Sequence, residues 1–451
     1  MMRRALLLAL VTAATLHSQA PDADTFTFRD GAGSLLSVTL ADVNDTIAMS
    51  WPGSAGPGWD TALLGVTVTV GFEGAAPFIE MASGGTSDRQ YFRPGETGPR
   101  WLNLSFLRGA ISAGTRVSFR TEGMRIAAGA APLRLFANGL DLSRPLLVLA
   151  PHPDDAEIAA FGVYAYRKST VVTITTGNAG PRNYEAVFDD LAEMYHFKGR
   201  IRLIDSITVP WLGGIPPDRA FNLGYFDARL AEMYGKPAAV IPEMYSPNTD
   251  IGVYLKYNIG SLLPKRPRAS TWTNLVDDLG TVLKKVNPAV IVAPHPHLDS
   301  HADHQFATVA LVEALARRRG RVTLLLYTNH ADRNRYPYGP AGTVMSLPPP
   351  VADEVMVDRV YSHPVSPDLQ RQKLFALESM HDLRPSPSRS YQLTIGGDRS
   401  REVEQLGQSS GDVSYFRRAP RSNELFFVYD QATVRPMIDA FIAAWRARAT
   451  R

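Results

Sequence analysis

The sequence contains no cysteine among its 451 residues, and this absence narrows the chemistry open to the protein. A chain without thiols has no disulfides and no thiolate metal ligands, and it lacks the residue that carries the usual bacterial lipid anchor. Any metal ion that the protein uses must therefore be bound by histidine, aspartate or glutamate.

Long apolar runs and long basic runs are also absent. The apolar stretch near the N-terminus, 5–16, is shorter than the roughly 20 residues that a membrane-spanning helix needs. The 47 basic and 44 acidic residues are interspersed and leave a formal charge of +3, so no basic tract indicates nucleic acid as a partner. With 45% hydrophobic and 20% charged residues, the composition is that of a globular protein with about two or three domains.

Two arginines precede the apolar stretch and small and polar residues follow it up to Ala20, which is the layout of a secretory signal. We therefore predict a signal peptide at 1–20 and a mature protein without a transmembrane span, exported to the periplasm or the extracellular space. Pro21 would directly follow the cleavage point, which leaves an uncleaved N-terminal anchor open as an alternative. The sequence leaves the oligomeric state open.

Residues 24–140 contain short segments rich in β-branched and aromatic residues, separated by glycine, proline and aspartate. This pattern predicts an all-β, sandwich-like accessory domain. Trp51, Trp59 and Trp101 are candidates for a face that stacks on sugars. The alternative is that they pack in the core, because tryptophan is usually buried.

Strands and helices alternate from residue 145 onwards. Leu146–Ala150 and Ala289–Ala293 are continuous apolar runs typical of buried parallel strands, and a segment with helical spacing follows each of them. We predict an α/β fold for 145–330, with a Rossmann-like, doubly wound and mostly parallel sheet. Residues 331–451 are predicted to be a C-terminal extension that completes this catalytic domain.

Two stretches between these strands are less regular. Helical spacing predicts a helix at 184–197. Residues 205–268 hold many prolines, glycines and tyrosines without a clear period, and we expect loops and short helices over the sheet edge. Long loops at this position would shape a pocket.

Polar residues with metal-binding side chains directly follow the first apolar strand. His152, Asp154 and Asp155 come immediately after Pro151. In an open parallel sheet, ligands bind beyond the carboxyl ends of the strands, which is where these residues fall. His152 and Asp155 are suitable zinc ligands, although the aspartates would serve equally well as caps for the helix that follows.

A second cluster follows the strand Ala289–Ala293 in the same way. Four of the chain's ten histidines fall in the next eleven residues, together with two aspartates: His295, His297, Asp299, His301, Asp303 and His304. Packing alone does not readily explain such clustering at the mouth of a parallel strand. The matched context of the two clusters indicates one shared site.

These two clusters carry a resemblance to a known family. The run His152-Pro153-Asp154-Asp155, together with Asp-Ser-His-Ala-Asp-His at 299–304, resembles the PIG-L (LmbE-like) family of zinc-dependent de-N-acetylases. The glycine-containing run 176–180, with Arg182 and Glu185, is similar to a further stretch of the family. The resemblance covers about 146–327 and leaves the β-rich region outside.

One position departs from the family pattern. Many members have an acidic residue directly after the two aspartates, whereas this chain has Ala156 there and Glu157 one position later. We therefore do not assign Glu157 to the metal. A weaker echo of the family lies at 373–381.

The resemblance implies a zinc ion held by His152, Asp155 and His304, with an open position for water. This arrangement agrees with the usual composition of a catalytic zinc site, which has three protein ligands and solvent. The resemblance also implies that Asp154 is the general base, which takes a proton from the attacking water and later passes it to the leaving amine.

Further roles follow from the same resemblance. His301 would stabilise the tetrahedral oxyanion, and Asp303 would orient His301 and tune its charge. A last group of polar residues is predicted to line or brace the pocket and to contact substrate: Asn178, Arg182, His295, His297 and Asp299. For Arg182, an ordinary salt bridge is an equal alternative.

Together these features predict an exported zinc-dependent deacetylase that hydrolyses the N-acetyl group of an N-acetylhexosamine in a glycan, such as an exopolysaccharide or envelope polysaccharide. Two alternatives stay open: a zinc amidase for a different small glycoside or amide, and a non-catalytic glycan-binding protein. Asp154 argues against the last one, because a structural metal site needs no additional carboxylate beside its ligands.

Overall fold

The computed structural model describes most of the chain after residue 25. The described ranges are 26–44, 46–72, 76–185, 187–260, 262–263, 268–318, 320–349, 355–383 and 418–449. The predicted signal peptide at 1–20 lies outside the described residues. Among the helices within these ranges, none is both long enough and apolar enough to cross a membrane.

The N-terminal region is an antiparallel sheet that curls on itself. Its strands are β2 (Ser34–Val43), β3 (Thr46–Ser50), β4 (Thr61–Val70), β5 (Phe78–Ser83), β6 (Thr86–Tyr91), β7 (Thr97–Asn103), β8 (Arg116–Glu122), β9 (Met124–Ile126) and β10 (Gly129–Phe136). Their order is β6-β5-β8-β3-β2-β10-β4-β7, and β9 pairs with β4. The predicted all-β character of this region is confirmed, although the strands form one continuous sheet.

The side chain of Gln90 joins the two edges of this curled sheet. Gln90 in β6 donates a hydrogen bond from Nε2 to the carbonyl oxygen of Trp101 in β7, at 3.0 Å. The backbone N–H of Asn103 donates to Gln90 Oε1, also at 3.0 Å. The sheet therefore closes around its apolar core without a backbone ladder between β6 and β7.

The three tryptophans of this region pack against other aromatic side chains. Trp51 and Trp59 are 3% and 8% exposed, and their ring centroids are 5.4 Å apart. Trp101 is partly buried and meets the ring of Phe28 edge-on, at 5.2 Å. The structure thus supports the packing alternative, since the rings of Trp51 and Trp59 expose almost no surface to a sugar.

The C-terminal region is built on a seven-stranded mixed sheet. Its strands are β11 (Leu146–Ala150), β12 (Ser169–Thr175), β13 (Ala220–Tyr225), β14 (Val290–Pro294), β15 (Thr323–Tyr327), β17 (Arg359–Pro364) and β18 (Asn423–Asp430), in the order β13-β12-β11-β14-β15-β18-β17. The first five are parallel, and β18 runs antiparallel to both of its neighbours. A separate parallel pair joins β1 (Phe26–Phe28) to β16 (Val355–Val357).

Helices cover both faces of this sheet. They are α1 (Asp155–Tyr164), α2 (Leu191–Thr208), α3 (Leu230–Gly235), α4 (Gly252–Leu255), α5 (Trp272–Val286), α6 (Ala302–Leu315), α7 (Pro367–Ser379) and α8 (Gln431–Ala449). In β11, Leu147 and Leu149 belong to the core that contains α5 and α6, whereas Leu146 and Val148 belong to the core that contains α1. Successive side chains of β11 point to opposite faces of the sheet, and both faces are buried. The apolar run is therefore continuous.

Two predictions about the less regular stretches need correction in part. The short helices expected in 205–268 are present as α3 and α4. The stretch 205–268 contains an edge strand, β13, in which Asn222 and Gly224 interrupt the apolar pattern. The side chain of Asn258 hydrogen-bonds the backbone N–H and carbonyl of Asn222, at 2.8 and 2.9 Å, and so covers that edge. The helix predicted at 184–197 is α2, which starts later because the Asp190 side chain accepts from the Glu193 N–H at 2.7 Å and caps it.

A buried ion pair ties the C-terminal strands to α1. Helix α1 is irregular at Ala160, which has φ −142°, and this frees backbone N–H groups in the next turn. Glu424 in β18 accepts hydrogen bonds from the N–H groups of Gly162 and Val163, at 2.8 and 2.9 Å. Lys373 in α7 balances the carboxylate at 2.8 Å, so the irregular helix is fixed against the sheet.

Candidate active site

The two predicted clusters meet because β11 and β14 are parallel neighbours, which places the ends of both strands at one edge of the sheet. Three ligand-type atoms lie together there: His152 Nδ1, Asp155 Oδ2 and His304 Nε2. His152 Nδ1 is 3.2 Å from His304 Nε2 and 3.3 Å from Asp155 Oδ2. Asp155 Oδ2 is 3.0 Å from His304 Nε2. The three atoms therefore form a nearly equilateral triangle.

The size of this triangle fits a tetrahedral zinc ion. Bonds of about 2.0–2.1 Å at tetrahedral angles place neighbouring ligand atoms about 3.3 Å apart. The observed edges of 3.0 to 3.3 Å are close to that value. Three side chains from two separate strand ends thus present one atom each at separations compatible with a tetrahedral metal ion.

Other combinations of neighbouring side chains are also close enough to bind a metal ion. His152, His301 and His304 form one such group, and Asp155 and His304 form another with His330. Within each group, the ligand atoms all lie within 4.8 Å of one another. In the triangle of His152, Asp155 and His304 all three separations are between 3.0 and 3.3 Å, and this triangle is the candidate ligand set.

The charge of the cluster also favours a bound cation. Burial lowers the pKa of His304, but the carboxylates of Asp155 and Asp299 outweigh this effect and raise it to about 10. Without another cation, the ring would therefore hold a second proton. Because zinc requires the neutral ring, metal binding would release that proton, and the ion would supply positive charge in its place.

Neighbouring polar groups orient two of the three ligands. Asp299 Oδ2 lies 3.0 Å from His304 Nδ1 and also accepts from the N–H of Asn329. The Asn329 side chain donates to Asp155 Oδ1 at 2.7 Å and so leaves Oδ2 for the triangle. Such partners fix the ring orientation and tautomer of a ligand histidine and the binding oxygen of a ligand carboxylate.

Two buried carboxylates hold the third ligand. His152 Nε2 lies 3.0 Å from Asp227 Oδ1 and 3.3 Å from Asp303 Oδ2. Asp303 also accepts hydrogen bonds from the N–H groups of Ala228 and Leu230. Its carboxylate therefore orients His152, whereas the contact between Asp303 and His301 is made by the Asp303 backbone N–H.

Asp154 lies beside the triangle but turns in another direction. It is the residue before α1, yet among the described residues its side chain makes no capping hydrogen bond. Instead, Asp154 Oδ2 accepts from Arg202 Nη2 at 3.0 Å. Burial raises the pKa of Asp154 to about 7, since Arg202 only partly offsets the loss of solvent. A carboxylate with this pKa can both take up and release a proton near neutrality.

The half-buried His301 is set up as a neutral hydrogen-bond donor. Its Nδ1 accepts from the N–H of Asp303 at 3.2 Å, so the proton of a neutral ring is on Nε2. Burial, reinforced by the rings of His152 and His304, lowers the pKa of His301 to about 3. The ring centroid lies 4.7 Å from that of His152, next to the candidate metal site.

The glycine-containing run contributes a loop at the same edge of the sheet. Asn178 is buried: its Oδ1 accepts from the Asp227 N–H at 3.0 Å and its Nδ2 donates to the Tyr254 hydroxyl at 3.3 Å. Arg182 is exposed. Gly177 has φ +66°, and a Cβ there would lie 2.5 Å from Arg202 Nη1, so only glycine fits. Of the two predicted sugar contacts in this loop, Arg182 has the more accessible side chain.

The remaining predicted pocket residues lie deeper in the fold. His295 is fully buried, with Nε2 3.2 Å from the Tyr429 hydroxyl. His297 Nε2 is 3.1 Å from the Met437 carbonyl oxygen. Asp299 is fully buried, and its Oδ2 lies 3.0 Å from His304 Nδ1. These positions support bracing by His295 and Asp299 and give neither residue a surface for a sugar.

Glu157 has its own partner near the site. Its Oε1 accepts a hydrogen bond from the Tyr164 hydroxyl at 2.8 Å. Burial raises the pKa of Glu157 to about 8, and this hydrogen bond only partly opposes the rise. Glu157 stays outside the candidate ligand set, in agreement with the sequence analysis.

Three residues of the site were missed by the sequence analysis: Asp227, Arg202 and Asn329. Asp227 follows the unpredicted strand β13, so the strand-end rule would have indicated it had that strand been recognised. Asn329 follows β15 in the same way, directly before His330. Arg202 lies in the middle of α2, and nothing in its local sequence connects it with Asp154.

The fold and the site therefore define an α/β domain with a buried His/Asp cluster that could bind a metal ion. Residues 147–315 match the family model described as PIG-L, GlcNAc-PI de-N-acetylase. The chain thus contains a PIG-L domain, and the resemblance stated from the sequence is confirmed. This domain match indicates a hydrolase of the de-N-acetylase type that acts on carbohydrate-related substrates.

Comparison with solved structures gives distant likenesses. They include GalB, the 4-carboxy-2-hydroxymuconate hydratase from Pseudomonas putida KT2440, at 12% identity and TM-score 0.28, covering 64% of this chain and 95% of that one. An acetyl xylan esterase, Est2A, from Butyrivibrio proteoclasticus is 10% identical with TM-score 0.15, covering 66% and 81%. The Clostridium thermocellum xylanase 10B CBM22-1-GH10 modules have the same identity and TM-score, covering 67% and 66%. Scores of this size establish neither a shared fold nor a shared function, and no curated protein matches the chain significantly.

Proposed function

We propose that the protein is an exported, zinc-dependent deacetylase that hydrolyses the N-acetyl group of an N-acetylhexosamine in an exopolysaccharide or envelope polysaccharide. One observation carries this proposal: within the PIG-L domain, the triangle of His152, Asp155 and His304 lies beside the separate carboxylate of Asp154. Ligands and a neighbouring base are the parts that metal-assisted amide hydrolysis requires.

The proposed ligands are the three atoms of the triangle. When bound there, zinc would polarise the amide carbonyl and lower the pKa of a water molecule. Asp154 would take the proton from the attacking water, because it is the carboxylate next to the ligands with a pKa near neutrality. The same carboxyl group would then give its proton to the leaving amine.

His301 would stabilise the charge that develops on the amide oxygen. Its neutral ring carries the proton on Nε2, and Nδ1 is fixed by the Asp303 N–H. An N–H group oriented before the reaction stabilises an oxyanion without reorganisation. This role does not need the Asp303 side chain, which is engaged with His152.

The proposal also includes the topology of the catalytic domain, export of the protein, the role of the N-terminal region and one sugar contact. The parallel strand order and the helices on both faces support a Rossmann-like, doubly wound topology for 145–330, completed by 331–451. The secretory layout at 1–20 supports export, and residues 24–140 would be an accessory domain. Arg182, exposed on the glycine-containing loop, is the proposed sugar contact.

The test is release of acetate from N-acetylglucosamine oligomers and from crude N-acetylated polysaccharide, with a chelator control and zinc restoration. Release that disappears with the chelator and returns with zinc would support the proposal. Release from small N-acetylated glycosides alone would favour the amidase alternative. Binding of glycans by zinc-loaded protein without any hydrolysis would favour the glycan-binding alternative and contradict the proposed activity.

Asp227→Asn is expected to weaken zinc binding about 10- to 100-fold, because it removes the charged partner of a proposed ligand histidine. The contact concerned is Asp227 Oδ1 to His152 Nε2, at 3.0 Å. Affinity can be measured by competition with a chromogenic chelator. Asp218→Asn, in the turn before β13, is the matched control. Equal affinities for the two variants would exclude this role for Asp227.

A further inference from the structure

A turn from the C-terminal part of the chain reaches the candidate base. The short 3-10 turn His381–Leu383 follows α7 and lies outside the matched residues 147–315. The buried carboxylate of Asp205, in α2, anchors it: Oδ2 accepts from the His381 N–H at 2.9 Å, and Oδ1 lies 2.7 Å from His381 Nδ1. The next residue, Asp382, therefore has a fixed position against α2.

Asp382 connects two parts of the site through its two oxygens. Oδ1 accepts from Asn183 Nδ2 at 3.0 Å, which links it to the glycine loop, defined here as residues 176–185. Oδ2 lies 3.2 Å from Lys198 Nζ and 3.3 Å from Arg202 Nε. Both cations belong to α2, and the Asp382 side chain is only 9% exposed.

Each of the two cations also contacts a functional element. Arg202 donates to Asp154 Oδ2 at 3.0 Å and to the carbonyl oxygen of Gly177 at 3.2 Å. Lys198 is fully buried and donates to the carbonyl oxygens of Ala179 and Pro181, at 2.8 and 2.9 Å. Lys198 therefore supports the middle of the glycine loop, while Arg202 supports both its start and the candidate base.

Asp382 is the carboxylate that contacts both of these α2 cations directly. Lys198 and Arg202 face two carboxylates, Asp154 and Asp382. If Asp382 were neutral, Arg202 would keep only Asp154 as a carboxylate in direct contact, and Lys198 would keep none among the described residues. A buried charge that loses its partner is strongly unfavourable. The arginine and lysine would then be expected to move, and the base and the loop would move with them.

We propose that Asp382 is a positioning residue that sets the location of both the base Asp154 and the glycine loop. The catalytic part of this inference rests on the proposed deacetylase function, whereas the structural part does not. The C-terminal turn thus contributes to a site whose ligands and base all come from the PIG-L domain.

The test compares Asp382→Asn, which removes the charge, with Asp382→Glu, which keeps it. Per zinc-loaded molecule, Asp382→Asn is expected to lower kcat/KM about 10- to 100-fold, with a lower kcat because the base shifts and a higher KM because the loop shifts. Asp382→Glu is expected to stay within about tenfold of the wild type, since a charged partner remains. The matched control is Asp358→Asn, which removes a carboxylate 2.7 Å from Arg29, in a different ion pair.

Amide hydrogen exchange in 176–185 is the second measurement, and it does not depend on any substrate. Asp382→Asn is expected to speed exchange in this loop about tenfold or more, while Asp358→Asn leaves it unchanged. Unchanged loop exchange in Asp382→Asn, or an equal effect of Asp358→Asn, would overturn the proposal. If the loop responds as expected but the wild type releases no acetate, the positioning role stands and the deacetylase function fails.

Discussion

Asp154→Asn is expected to lower kcat for amide hydrolysis about 10³-fold while the zinc content per chain stays that of the wild type. The amide keeps the shape of the side chain and can still accept from Arg202 Nη2, which donates to Asp154 at 3.0 Å. It cannot take a proton from water or return one to the amine. Steady-state acetate release and metal content should be measured on the same samples.

A matched control separates this effect from a general loss of negative charge. Asp439→Asn removes a carboxylate from α8, where Asp439 forms an exposed pair with Arg435 at 3.2 Å. We expect its kcat to equal that of the wild type, because exposed pairs contribute little. Wild-type activity in zinc-loaded Asp154→Asn would show that another group is the base.

The acid side of the pH profile should depend on the same carboxyl group. A general base works only when it is unprotonated, so kcat/KM is expected to fall as the pH falls through the pKa of Asp154, which burial raises to about 7. A divalent cation at the neighbouring ligands favours the carboxylate and moves this fall to a lower pH. In Asp154→Asn, the residual activity should lose that acid-side fall.

The parts of the site that lie at strand ends could be predicted from the sequence. Leu146–Ala150 and the strand that ends at Pro294 are continuous apolar runs, and the rule for parallel sheets places the residues after them at one edge. The two clusters could therefore be brought together before any distance was known, and the resemblance to the PIG-L family singled out His152, Asp155 and His304 within them. The antiparallel character of the N-terminal region was equally accessible, because its segments are short and bounded by turn residues.

The parts that depend on long-range contacts could not be predicted in this way. Asp303 is next to His304 in sequence, yet its carboxylate meets His152, because Asp303 also accepts from the backbone of Ala228 and Leu230. Arg202 reaches Asp154 only because α2 packs over the glycine loop. A local pattern gives the face of a helix or the end of a strand, and it does not show which distant charge will lie there.

Substitution of His304 is expected to remove the bound metal and, with it, all measurable hydrolysis. His304→Gln replaces a ligand nitrogen with a weakly coordinating amide and leaves only His152 and Asp155 in the triangle. We expect zinc content to fall from about one per chain to below about 0.1 after dialysis. Metal analysis of the purified variants by mass spectrometry is the measurement.

Two neighbouring histidines provide controls that test the ligand set itself. The His330 ring lies 4.6 Å from that of His304 and belongs to an alternative metal group with Asp155. His330→Gln is expected to retain zinc, whereas His301→Gln should retain zinc but lose about 10²-fold in kcat, because it removes the proposed oxyanion donor. If His330→Gln loses zinc as completely as His304→Gln, the ion lies in the group of Asp155, His304 and His330. His152 would then be a partner that orients the base, held in place by Asp227 and Asp303. The triangle would be wrong as a ligand set.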